Sequence, residues 1–290
     1  MMNRPKQIVL DKDVFIALSG RQFDILLDFC RQHCVLLSDT LLYECATAAR
    51  QNPKVLLQRY EELVKVGAYC CSVSRTFIEW ECRHCRPYSW FLPDLAATQQ
   101  IRGGERRPVH LLDSSEYAGL SQQRYKLARA FLNVSQKVKN GIDVEDPGVG
   151  EKISQLPSDR YERFRILLEF VDSSTIHESG IESVPHDWIR DEEQFCRSPA
   201  WMSWQHIRLI DVLANNYHYL CRTGSPPGAE GAEHDCQDLE YVMLLSRADA
   251  IITMDKKLVV PLARAAFPEK DVFSSLDEVP ASYRCDWGEG

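Results

Sequence analysis

Two short apolar runs near opposite ends of the chain each lead into an aspartate: Gln7-Ile8-Val9-Leu10-Asp11, and Ala250-Ile251-Ile252-Thr253 with Asp255 two residues on. An unbroken apolar run of this length is what a strand buried on both faces needs, as in the interior of a parallel sheet. An acid just past the carboxyl end of such a strand stands at the edge where ligands bind in open α/β sheets. The two runs therefore imply a sheet begun at one end of the sequence and completed at the other, with acids from both ends on one edge.

The stretches next to them alternate as such a sheet requires. A helix fits residues 23–33. A second run, Val35-Leu36-Leu37, ends at Ser38-Asp39-Thr40, where Asp39 or Thr40 can cap a helix carrying Tyr43, Glu44 and Cys45. Pro53 suits a helix start, the segment after it is amphipathic to about Val66, and Gly67 stops it before the strand-like residues 68–73. Three strands separated by helices predict an open parallel sheet with right-handed crossovers. From about Thr76 to Cys221 the sequence shows helical periodicity and loops but no convincing strand. Helices are expected over residues 113–139, 158–171 and 199–221, and loops at 146–150 and 223–228. The alternation then resumes with a helix over 233–246, a strand over 250–253, a helix over 257–266 and a short strand at Val272-Phe273. The expected architecture is an α/β domain, an open parallel sheet flanked by helices, formed by residues 1–75 and 222–290 around an all-helical insertion of residues 76–221.

Composition narrows the function classes. At 290 residues and 44% hydrophobic content the chain can bury a sizeable core. Its apolar stretches fall short of the ~18 residues that span a bilayer, and Asp11-Lys12-Asp13 interrupts the N-terminal run, so the chain reads as soluble and cytoplasmic, with no membrane partner. Eleven cysteines, an odd number in a long chain, read as reduced and mostly buried rather than as a disulfide framework. A formal net charge of −8 argues against nucleic-acid binding by the whole surface, so any such partner needs a local basic patch, bound metal ions or both.

The acids supply a candidate for the metal route. Asp11 and Asp255 end two different strands, Asp235 and Asp238 stand three apart on one helix, and Glu44 lies in the first turns of the helix after the second strand, all on the same edge. Carboxylates brought together repel and raise one another's pKa values unless a cation neutralises them. Their hard oxygens suit magnesium or manganese, which can polarise a phosphodiester and activate water without a nucleophilic side chain.

In this order, the opening Ile8-Val9-Leu10-Asp11-Lys12-Asp13-Val14-Phe15 and the closing Asp238-Leu239-Glu240-Tyr241 through Ala248-Asp249-Ala250-Ile251-Ile252-Thr253-Met254-Asp255 resemble the two ends of a PIN-like nuclease domain, over roughly residues 7–73 and 232–275. The resemblance implies a magnesium- or manganese-dependent endoribonuclease acting on single-stranded RNA. It makes Asp11 the first metal ligand, Glu44 the second acid, and Asp238 and Asp255 the third and fourth, with metal held by Asp11, Asp238 and Asp255. Asp235 becomes a fifth acid or outer partner, and Thr253 orients the last carboxylate. The sequence departs from the family pattern at Asp13, which replaces the usual amide or hydroxyl residue. The helical insertion would then select the substrate or a protein partner, and an oligomer is compatible with this reading. The alternatives are a PIN-like scaffold that has become a binding or regulatory module, and a structure-specific DNA nuclease.

Other motifs are weaker. Between Tyr117 and Ile142 lie Arg124, Lys126, Arg129, Lys137 and Lys139 without an acid. That helix reads equally as a phosphate-binding surface, with Arg124, Lys126 and Arg129 as its core, or as a solvated basic face. Arg102, Arg106 and Arg107 form a lesser basic group. Cys82 and Cys85 make half a zinc site whose second half is missing, which favours reduced cysteines in a helix. Trp201 and Trp204, three apart, read as a core-facing stripe. The chain contains no phosphate-loop lysine motif and no Gly-x-Ser-x-Gly elbow.

Overall fold

The computed structural model describes residues 4–16, 20–48, 52–71, 74–88, 92–112, 152–172, 176–225 and 228–285, together with 126, 128–130 and 133. Five strands, β1 (Gln7–Leu10), β2 (Cys34–Leu37), β3 (Tyr69–Cys70), β4 (Ala250–Ile252) and β5 (Asp271–Phe273), form one all-parallel sheet in the order β3-β2-β1-β4-β5. Every residue of β1, β2 and β4 is buried, which explains the unbroken apolar runs. Ile8, Val9 and Leu10 are fully covered, each worth about 1.5–3 kcal/mol of hydrophobic transfer. The first three strands run outward from β1 on one side, and β4 and β5 are added on the other. The seam between β1 and β4 is thus the topological switch point, the place where ligands enter open α/β sheets.

Helices flank the sheet. In the first part of the chain they are α1 (Lys12–Ile16), α2 (Gly20–Gln32), α3 (Asp39–Thr47) and α4 (Pro53–Val66). Between β3 and β4 the described helices are α5 (Ser74–His84), α6 (Leu95–Arg102), α7 (Val109–Leu112), α8 (Arg160–Asp172), α9 (Ile176–Glu182), α10 (Met202–Arg222) and α11 (Ala229–Leu244). The last is α12 (Val259–Ala266). The helices that follow β3 pack directly on those at the sheet, α8 against α12 and α10 against α11. One hydrophobic cluster runs from Ile8 through Phe77, Phe164 and Leu213 to Leu262. Among the described residues, no helix is long and apolar enough to cross a membrane.

Several boundaries differ from the sequence reading for identifiable reasons. The cap of α3 is Ser38, not Asp39 or Thr40: its backbone is extended and its hydroxyl accepts the Leu41 N–H at 3.0 Å. That places Asp39 and Thr40 inside the first turn, where Thr40 donates to Glu240 of α11. Of the expected strand 68–73, β3 covers Tyr69–Cys70; Cys71 still donates its amide to the Leu37 carbonyl at 2.9 Å and forms an antiparallel bridge with Pro93, and residues 72–73 lie outside the described residues. Gly67 stops α4 as expected, at φ 152°, and a Cβ there would sit 2.5 Å from the Cys30 carbonyl oxygen. Arg102 is not a free basic group: Nε bonds the Val64 carbonyl at 2.9 Å and Nη2 the Gly67 and Ala68 carbonyls, so it caps the end of α4. Most of the expected helix 113–139 and the loop 146–150 lie outside the described residues.

The start of α10 is built on a buried acid that the sequence did not single out. Glu81 of α5 is 0% exposed; its Oε1 accepts the amides of Tyr88 at 2.7 Å and Met202 at 2.9 Å, and its Oε2 accepts the Ser203 amide at 2.9 Å and hydroxyl at 2.7 Å. Met202 and Ser203 open the helix, so the carboxylate satisfies its orphan donors and meets the positive end of its dipole. Trp201 and Trp204, beside it, are buried, as the core reading expects. All eleven cysteines are free, and nine are buried.

Candidate functional site

Asp11 follows directly on β1, and its amide donates to the Ile252 carbonyl at 3.1 Å, which fixes it at the end of β4 as well. The side chain is 2% exposed. The Thr253 hydroxyl donates to Asp11 Oδ2 at 2.5 Å and accepts the Asp255 amide at 3.1 Å, so one threonine joins the two terminal acids. Thr253 therefore holds the first acid through its hydroxyl, whereas the resemblance had it orient the last. Burial pushes the Asp11 carboxyl up to about 7. The Thr253 hydroxyl opposes the rise, the charges of Asp13 and Glu44 add to it, and the Lys12 amide opposes it.

Asp238, on the face of α11 that meets this edge, is the point where the acids converge. Burial raises its carboxyl well above the ordinary range, and repulsion by Asp11, Asp255, Glu44 and Asp235 raises it further. Among the described residues, none donates a hydrogen bond to its side chain. Asp235, one turn earlier, is also raised, first by burial; the Tyr217 hydroxyl hydrogen-bonded to its Oδ2 lowers it, Asp255 raises it, and His234 and Arg160 lower it.

The remaining two acids are held more tightly. Glu44 is 5% exposed; its Oε1 lies 2.6 Å from Lys12 Nζ, and its Oε2 accepts the Tyr241 hydroxyl at 2.7 Å. Asp255 turns its carboxylate to the following backbone: Oδ1 accepts Lys257 N at 2.6 Å and Leu258 N at 3.2 Å, and Oδ2 accepts Val259 N at 3.5 Å. It thus caps the turn that leads into α12 while still acting electrostatically on Asp238 and Asp235. Asp11, Glu44, Asp235, Asp238, Asp255 and Thr253 accordingly share one neighbourhood at the switch point.

No family model, curated protein or solved structure matches this chain.

Four site residues escaped the sequence reading. Lys12 carried a signal, standing next to Asp11, and so did Tyr241, one helical turn after Asp238. Tyr217 and Arg160 come from helices between β3 and β4, and no local pattern joins them to Asp235. Of the expected basic surface, Lys126 and Arg129 are exposed and Arg124 lies outside the described residues. A cavity of about 500 Å³ lies away from the acids, lined by His177, Arg197 and Trp204 at the start of α10, whereas Tyr217 meets Asp235 near that helix's other end.

The donor set has the chemistry of a magnesium or manganese site: hard oxygens whose charges oppose one another, with Asp11 and Asp238 the two whose burial is least compensated. Among the described residues, no group of three or more His, Cys, Asp or Glu side chains forms a ready ligand set, at these acids or at Cys82 and Cys85. Magnesium is usually held by one or two carboxylates, with water and substrate phosphate completing its shell, so two acids with outer partners fit the ion. Cys82 is buried, which pushes its thiol up to about 12, and Cys85 Sγ lies 3.4 Å from the Cys82 carbonyl oxygen.

Proposed function

We propose that this chain is a PIN-like, magnesium- or manganese-dependent endonuclease that hydrolyses phosphodiester bonds in single-stranded RNA, with the helices between β3 and β4 as an insertion in the nuclease domain. The observation that carries the reading is the position of Asp238: acids from both ends of the chain converge on it at the switch point of a parallel sheet, and Thr253 fixes the first of them. Structural acids are normally supplied with donors, and perturbed carboxylates gathered in one place mark functional sites.

In this reading Asp11 and Asp238 hold the divalent ion, which when bound polarises the scissile phosphate and lowers the pKa of water. Thr253 keeps the Asp11 carboxylate in one orientation, as outer partners of metal ligands do. Asp235, with Oδ2 held by Tyr217, offers Oδ1 to take a proton from the attacking water. Arg160, exposed and close enough to lower Asp235, meets a substrate phosphate. Lys126, Arg129 and Arg124 would extend the RNA path.

The test is cleavage of single-stranded RNA, single-stranded DNA and branched DNA by the purified chain with manganese or magnesium, beside Asp11→Asn and Asp238→Asn. RNA cleavage lost in both folded variants is the expected result; undiminished cleavage in either one overturns the assignment, and preference for branched DNA moves it to a structure-specific DNA nuclease. The engagement of Asp255 by three backbone amides favours a second reading, a PIN-like module that binds without cutting. Manganese that raises the melting temperature of wild type but not of Asp238→Asn, without cleavage of any substrate, would select it.

A further inference from the structure

Lys12 brings a positive charge into the acid cluster from within the chain. Its Nζ lies 2.6 Å from Glu44 Oε1, and its side chain is only about a quarter exposed, at 26%. The opposite oxygen of Glu44 is taken by the Tyr241 hydroxyl at 2.7 Å, and Tyr241 is fully buried, so the carboxylate cannot swing away without stranding that hydroxyl. The ammonium is also drawn by Asp238 and Asp13. Lys12 is thus attracted by acids that themselves repel Asp11 and Asp238.

We propose that Lys12 is the resident cation of the acidic site, held by Glu44, so that the site takes one divalent ion rather than two and Glu44 anchors the lysine instead of ligating metal. The proposal rests on the metal-site reading above and changes the role of one of its acids. Two-ion phosphodiesterase sites place their metals about 3.5–4 Å apart within one acid cluster. Here one acid of the cluster is already neutralised by an ammonium on a short tether, the residue next to Asp11. A primary ammonium is a compact point charge with three donors, so Lys12 can neutralise the Glu44 carboxylate from within the cluster.

Manganese binding to the full chain, counted by calorimetric titration and by loss of the free-ion spin-resonance signal, separates the alternatives when paired with melting in EDTA. Wild type is expected to take one manganese per chain and Lys12→Met two. The metal-free melting temperature of Lys12→Met should fall by about 5 °C, because one partner of a mostly buried pair is removed and the other is left charged. Saturating manganese should restore most of that loss, and Lys12→Met/Glu44→Gln should show neither the fall nor the second ion. Two ions in wild type, or one in a folded Lys12→Met, overturns the proposal. If Lys12→Met does not fold, a folded Lys12→Met/Glu44→Gln supports it and an unfolded one overturns it. If wild type takes no manganese, the metal reading of the site fails, and Lys12 as resident cation is judged by melting in EDTA alone, an unchanged temperature in Lys12→Met overturning it.

Discussion

Two buried carboxylates in this protein receive opposite treatment. Glu81 is 0% exposed and is given two backbone amides and a hydroxyl at the head of α10, with the Tyr88 amide as a third. Asp11 is 2% exposed and is given one threonine hydroxyl, the amide of Lys12 and the charges of other acids. Both groups lose their hydration on folding, but only at Glu81 does the fold replace it. Asp238 is treated like Asp11, with four acids around it and no described donor. A carboxylate provided with donors serves the fold; one denied them stores an unmet demand that a cation can satisfy.

The contrast is broken or sharpened by substitutions with opposite signs. The largest expected effect is on catalysis: Asp11→Asn or Asp238→Asn should reduce RNA cleavage by more than about 100-fold, beyond what loss of an outer-shell partner causes. The same variants should melt higher than wild type in EDTA, since an amide carries no charge to bury. Next comes Glu81→Ala, which should cost about 3–5 kcal/mol in chemical denaturation, because it leaves the first amides of α10 without a partner. A Glu81→Ala protein as stable as wild type would dissolve the comparison.

A pH series reads the same difference without changing the chain. The folded Asp11 carboxyl is raised to about 7, so the folded state binds its proton more tightly than the unfolded state does. Stability from this group is complete below the unfolded value near 4 and is lost as pH rises toward 7, at about 1.4 kcal/mol per pH unit in metal-free protein. Asp238 shifts in the same direction and adds to the slope. Asp11→Asn should flatten it and saturating manganese should reverse it, because metal displaces the proton. Thr253→Val should lower cleavage by roughly 10–100-fold with the fold intact, as for an outer partner of a ligand. The smallest expected change is from Tyr217→Phe, which removes one hydroxyl from Asp235 and should cost about 1 kcal/mol of stability.

What the sequence could convey about this site follows from where the information lies. β1, β2 and β4 are legible because full burial forces consecutive apolar residues, and α4 is legible because Pro53 and Gly67 mark its ends. Asp11 and Asp255 are legible because they follow such strands. Lys12 with Glu44, Tyr241 with Glu44, and Tyr217 with Asp235 are pairings of tertiary structure, 32, 197 and 18 residues apart, which no periodicity encodes. Glu81 is hidden for the same reason: on α5 it reads as one more charged helix residue, and its partners Met202 and Ser203 lie more than a hundred residues downstream. Local signals also mislead where two residues compete for one task, as Ser38 shows by capping the helix for which Asp39 and Thr40 were the expected caps.

The Thr253 to Asp11 hydrogen bond spans 242 residues of chain. During synthesis the N-terminal strands and helices can collapse early, but Asp11 meets Asp238 and Thr253 only after the chain has been made through α11 and β4. A truncated product that stops before α11 carries Asp11 and Glu44 but none of Asp235, Asp238, Thr253 and Asp255.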